Sequence, residues 1–390
     1  MATVVLAWEY ERNTSFLKNF FYLQKELLKH NHDAYLVGVN LPNLPSFDAP
    51  FLQAPSAPTP ILHKSKKLNK IGGFADRLAL LGFNHSKTLY CLTKCWEHLF
   101  NLLKPQLLIA DCAPVACLAA YEKIPLVQVT DGFSLPPVNL PDFPRLRPDT
   151  APLTTTQAML ENMHQVQQRR NKASPANFDA LLKSEDAFIA HLPLFDPYLL
   201  FRSKEQKFGV FNEFSKPITT QIQEPYFFAY LEMTYPNIEE IIIGLTELEI
   251  PGIFFIPDIP QPLRLFLESR HMQILDDIEA LLPTIASSSY LIHHGNTVVA
   301  EAGLSAGIVQ FTLPYNFETE WISNKLKELR VGLTIYPTLN PIQTIKDILN
   351  EEWKKLSFKE WVDLRAEHEQ QKNTPNISEQ VLATCLSLLT

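Results

Sequence analysis

Short apolar runs alternate with amphipathic stretches along most of this chain, and that alternation predicts an α/β protein. Residues 3–8 (TVVLAW) form an apolar run suited to a buried strand. Phe16, Phe20, Leu23, Leu27 and Leu28 follow at helical spacing, and residues 34–39 (AYLVGV) form a second strand. A strand, a helix and a strand in that order imply parallel pairing with a crossover helix. The series continues with a helix over 89–103, a strand over 106–110 (QLLIA), a helix over 114–121 and a strand over 125–129 (PLVQV). Prolines and polar turn residues mark a loop over 134–153. Residues 154–190 read as helix, most clearly over 156–170.

Residues 208–224 carry Gly209, Pro217 and little periodicity, and they mark a domain boundary. A second series follows it. Strands are expected over 226–231, 252–256, 290–293 and 308–313, and helices over 237–248, 278–286, 297–306 and 318–329. The expected organisation is a domain over 1–216, a second over 217–375, and a last helix within 376–390. Both domains are expected to be Rossmann-like and to face each other across a cleft. In such sheets ligands sit beyond the carboxyl ends of the strands.

Composition narrows the functional classes. The chain has 390 residues, enough for two domains, and 46% hydrophobic against 19% charged residues, which excludes disorder. A net charge of -8 leaves no overall basic surface for nucleic acid. The local cluster at 63–70 (HKSKKLNK) reads as a solvated loop. No run of 18 apolar residues exists, and the N-terminus MATVVLAWEYE lacks the basic region of a signal peptide. The five cysteines, at 91, 95, 112, 117 and 385, are odd in number and match no zinc spacing. Free thiols, a cytoplasmic location and no bound metal are therefore expected.

Candidate chemistry concentrates in residues 290–307 (YLIHHGNTVVAEAGLSAG). A strand ends at His293, a tight turn of His294, Gly295 and Asn296 follows, and a helix opens near Thr297 and Val298. Amides at a helix start have no internal partner and suit a pyrophosphate. Glycine lets the backbone approach closely. An imidazole can donate a hydrogen bond or compensate charge, and Asn296 and Thr297 can cap the helix or bind a phosphate oxygen.

This stretch resembles the donor-site signature of GT-B glycosyltransferases of the family-1 type. That signature is a strand, a His-x-Gly or His-His-Gly turn, and a helix ending in a small residue and Gly. The likeness continues through residues 310–332 and includes segments at 6–9 (LAWE), 107–114 (LLIADCAP), 131–137 (DGFSLPP) and 228–231 (FAYL). It is nearest to a bacterial subgroup of these enzymes. The resemblance implies an inverting transfer of sugar from a nucleoside-diphosphate sugar, with a uridine diphosphate donor favoured, to an acceptor not specified by the sequence. The donor is a co-substrate, so no cofactor is implied. The family reads donor sugar hydroxyls with an acidic-Gln pair, and Glu318 and Thr319 stand at those positions.

The family's base is a His that closes a Gly-rich loop after the first strand. Here the loop reads YERNTSF, with Phe16 in register with that His. A hydroxyl that attacks an anomeric carbon needs a base. Asp111, Asp131 and Glu9 each lie just past a predicted strand and are the candidates, with His85 further away in the loop GFNHSK. A protein that binds the nucleotide-sugar without transferring it, and a sugar-nucleotide epimerase, remain alternatives.

Overall fold

The computed structural model describes residues 1–10, 14–39, 51–57, 71–137, 140, 142–211, 226–248, 250–336, 343 and 376–390. The basic cluster at 63–70, most of the predicted boundary segment and the middle of the loop after the first strand lie outside these residues. The chain divides into one unit of Met1–Phe211 with Pro375–Thr390, and a second of Asn212–Thr374.

The first unit holds a parallel sheet. Its strands are β1 (Thr3–Trp8), β2 (Asp33–Gly38), β3 (Phe51–Gln53), β4 (Leu107–Asp111), β5 (Leu126–Thr130), β6 (Asp186–Ile189) and β7 (Lys207–Phe208). Their spatial order is β3-β2-β1-β4-β5-β6-β7, so the order reverses between β1 and β4. In that register Trp8 lies opposite Asp111. Strands β4 and β5 are buried at every position, which is why they read as unbroken apolar runs.

Helices cover this sheet. These are α1 (Thr14–Lys29), α2 (Phe74–Leu78), α3 (Ser86–Leu103), α4 (Pro114–Ala120), α5 (Thr156–Arg170) and α6 (Phe178–Leu182). Helix α3 buries Leu89, Leu92, Thr93, Trp96 and Phe100, one face at helical spacing. His85 is its N-cap, with Nδ1 accepting from the Thr88 amide. The C-terminal helix Ser378–Leu388 packs on α1 and adds Val381 and Cys385 to the same core.

Two expectations for this unit need correction. Residues 154–190 are not one helix: they hold α5, α6 and then strand β6. Asn171 ends α5 in the left-handed conformation, and Pro175 follows before a fresh cap at Asn177. Leu28 is exposed rather than part of the α1 core face.

The second unit repeats the plan. Its strands are β8 (Phe227–Tyr230), β9 (Gly252–Phe255), β10 (Gln273–Ile274), β11 (Tyr290–His293), β12 (Val309–Thr312) and β13 (Gly332–Thr334), ordered β10-β9-β8-β11-β12-β13 and all parallel. The order reverses between β8 and β11. Phe227 and Ala229 enter one core and Phe228 and Tyr230 the other, so β8 is buried on both faces by its twofold period. The helices are α7 (Ile238–Thr246), α8 (Gln261–Ser269), α9 (Leu281–Ser287), α10 (Thr297–Ala306) and α11 (Phe317–Glu328).

Candidate functional site

Both candidate sites lie where the strand order of a sheet reverses, which is where parallel α/β sheets open a crevice. In the second unit the turn after β11 leads into α10. Gly295 takes φ +88, and Asn296 caps the helix by accepting the Val299 amide at 3.3 Å. The first intrahelical bond runs from the Ala300 amide to the Asn296 carbonyl. Thr297 and Val298 open α10, where backbone amides have no intrahelical partner.

The two histidine rings are held by contacts within the second unit. The Gly295 amide donates to His293 Nδ1 at 3.2 Å, so the ring proton sits on Nε2 and is donated to Gln310 Oε1 at 2.9 Å. Gln310 in turn donates to the Ala300 carbonyl of α10. His294 carries the opposite tautomer. Its Nε2 accepts from the Glu232 amide at 3.0 Å, and Nδ1 donates to the Leu313 carbonyl at 3.0 Å. Burial pushes the two imidazoles down to about 3 and about 4, so both are neutral. Every ring nitrogen is engaged inside the fold. His293 locks the turn to α10, and His294 ties the ends of β8 and β12 together across β11.

Two more assignments change for packing reasons. Gly295 admits a close approach by α11 rather than by a ligand, because a Cβ there would lie 2.4 Å from the Thr319 carbonyl oxygen. Thr319 belongs to the α11 capping box. Its hydroxyl accepts from the Asn316 and Tyr315 amides at 3.1 Å each, and its own amide donates to Asn316 Oδ1. That hydroxyl is thus not directed to a sugar. Glu318 sits partly exposed in the first turn of the same helix.

In the first unit, Glu9 follows β1. Its two carboxylate oxygens accept the Val115 and Ala116 amides at 2.8 and 2.9 Å, so it caps α4. Both carboxylate oxygens are thus engaged at a helix start. Burial pushes its carboxyl up to about 8, opposed by the two amides and the Trp96 indole. The folded value lies above the ordinary 4.5, so proton uptake by Glu9 favours the fold. That stabilisation is complete below about pH 4.5 and is lost as pH rises through about 8. Glu9→Gln is expected to flatten the stability slope between those limits, read from urea midpoints across the range. An unchanged slope would assign the pH dependence to another group.

Asp111 ends β4 at the reversal point, fully buried, and its Oδ1 accepts from Thr130 Oγ1 at 2.5 Å. Asp131 lies one strand further on, after β5, with Oδ1 accepting the Ser134 amide at 2.8 Å. The turn at 131–135 is held from several sides by residues the sequence reading passed over. The Gly132 amide donates to His191 Nε2 at 2.7 Å, and Arg202 donates to the Gly132 carbonyl and, through two nitrogens, to Asp196. Arg77 Nη1 donates to Ser134 Oγ at 2.7 Å and lies over the Tyr10 ring. Only glycine fits at 132, since a Cβ would lie 2.3 Å from Asp196 Oδ1. Burial lowers the His191 pKa, keeping it a neutral brace. The only sequence cue was the buried-type polar pattern HLPLFDP at 191–197, which resembles an ordinary loop.

Phe16 stands within the first turn of α1, and its side chain lies outside the described residues. Among the described residues no three His, Cys, Asp or Glu side chains converge as a metal site, and no helix is long and apolar enough to cross a membrane.

No family model and no curated protein matches this chain. Solved structures do match. The chain is similar to the spinosyn rhamnosyltransferase SpnG complexed with thymidine diphosphate, with a TM-score of 0.64, 13% identity and 100% of each chain covered. It is similar to the glycosyltransferase VinC in complex with dTDP, with a TM-score of 0.63, 12% identity and 99% of each chain covered. The calicheamicin glycosyltransferase CalG4 gives 0.62 at 13% identity over 100% of this chain and 98% of the other. Two all-parallel sheets with these strand orders, matched over full length, give this chain the two-unit Rossmann-like GT-B fold.

Proposed function

We propose that this protein is an inverting glycosyltransferase that takes a sugar from a nucleoside-diphosphate sugar. The observation that carries the proposal is the start of α10. The Thr297 and Val298 amides that open it stand at the reversal point of the second sheet, in a fold shared with glycosyltransferases. In this reading the backbone of the turn, rather than the histidine rings, holds the diphosphate. Glu318 accepts hydroxyls of the donor sugar. Asp111 removes the acceptor proton, and Asp131 supports the same edge of the first sheet. The sequence resemblance favours a uridine donor, and the diphosphates in SpnG and VinC support a deoxythymidine donor equally.

A thermal-shift series with uridine, deoxythymidine and guanosine diphosphates tests the donor half. One of them is expected to stabilise the chain by about 2.7 kcal/mol at a hundred times its dissociation constant. Slow release of the same diphosphate from its nucleotide-sugar then tests transfer. A shift without release under any acceptor supports binding without transfer, and no shift with any of the three overturns the donor site.

A further inference from the structure

We propose that Glu232 is a further donor-site residue, which accepts hydroxyls of the donor sugar and is held for that purpose by Tyr315 and His294. The proposal rests on the donor site described above. Glu232 follows β8, the strand on the other side of the reversal point from α10. Neither the composition nor the histidine motif points to it.

Two contacts fix its position. Its amide donates to His294 Nε2 at 3.0 Å, and the same ring reaches the Leu313 carbonyl at the end of β12. Its Oε2 accepts from Tyr315 Oη at 3.0 Å. Tyr315 is 40% exposed and meets the His294 ring edge-on at 5.6 Å, while Tyr235 stacks on His294 at 4.5 Å and meets Tyr315 edge-on at 6.1 Å. The Tyr235 hydroxyl is buried with no hydrogen-bond partner among the described residues. Such a group in a built cluster marks a place where water or a ligand belongs.

The chemistry suits a carbohydrate. A carboxylate accepts strongly from sugar hydroxyls. Aromatic rings beside it present apolar faces of the kind a pyranose covers. A bare diphosphate gains nothing from this group. It carries one more negative charge than the sugar-bearing donor and is repelled by a carboxylate on the neighbouring strand end. Glu232 therefore discriminates the loaded donor from the spent nucleotide. It favours binding of the first and departure of the second, an arrangement that speeds turnover when product release is slow.

The test compares two ligands on the full chain by calorimetry: UDP-glucose or dTDP-glucose, whichever nucleotide gives the thermal shift, and the matching bare diphosphate. Glu232→Gln is expected to weaken the nucleotide-sugar about 10-fold while leaving the bare diphosphate unchanged or tighter. Tyr315→Phe, on an exposed ring, is expected to weaken the nucleotide-sugar by a smaller factor in the same direction. Equal losses for both ligands, or no change for either, would overturn the assignment of Glu232. Binding of neither ligand by the unaltered protein overturns the donor site itself, and this proposal with it.

Discussion

Asp111→Asn is expected to slow sugar transfer by about 10²- to 10⁴-fold while leaving donor affinity unchanged. The expectation follows from position. Asp111 ends the strand at which the first sheet reverses its order, the edge at which parallel α/β sheets open a crevice. Asparagine keeps the size of the side chain and can still accept from Thr130 Oγ1, so the fold is preserved. It cannot take a proton, so a base would be lost without loss of shape. The informative measurement is initial rate against pH with the donor saturating, beside a donor titration of the same variant. Asp131→Asn made in parallel separates the two carboxylates. If its rate falls instead and that of Asp111→Asn does not, Asp131 is the base and Asp111 a strand-end brace. Glu9→Gln is expected to alter the pH dependence of stability far more than the rate, because both its oxygens are engaged by α4 amides.

Gly295→Ala is expected to cost about 3 kcal/mol of stability and to abolish the nucleotide shift. Two independent strains add. The residue holds φ +88, a conformation that costs any residue with a Cβ about 1–2 kcal/mol. The new methyl would also sit 2.4 Å from the Thr319 carbonyl oxygen and 3.0 Å from Ser323 Oγ. The first of these is backbone and is anchored by the hydrogen bond it accepts from Ser323, so it cannot swing away. Relief would come only by parting α10 from α11, which displaces the amides proposed to hold the diphosphate. Urea denaturation of the variant gives the cost directly. A loss below about 1 kcal/mol would mean that the turn relaxes freely and is not the rigid cradle the proposal requires.

The sequence made the β11 turn and the α10 start legible because they rest on local rules. A strand ending in His293, glycine at a positive φ, an Asn cap and a glycine C-cap at Gly307 are each decided within a few residues. The long apolar runs were equally legible, since a parallel strand buried on both faces has no polar positions to hide. The short edge strands were not. β6 reads DAFI between polar residues, and β7 and β10 span two residues each, so neither period nor length distinguishes them from loop. They are strands because a neighbouring edge offers them hydrogen bonds.

Side-chain roles were the part least visible. From the sequence alone His293 and His294 stand beside a helix start as free imidazoles. In the fold Gln310, from the next strand β12, takes the proton of one, and Glu232 and Leu313, just past the ends of β8 and β12, take both nitrogens of the other. The same holds for Thr319, whose hydroxyl is captured by its own helix cap, and for His191, which no motif marked but which braces the turn after β5.

Hydrophobic period, turn residues and caps thus predicted the long buried strands and most of the longer helices in chain order, because their causes lie within about ten residues of chain. Which polar groups spend their hydrogen bonds inside the protein, and which keep them for a ligand, was decided by strands far apart in the chain meeting at one sheet edge. A buried donor or acceptor takes whatever partner tertiary packing brings within about 3 Å, and sequence spacing does not encode that distance.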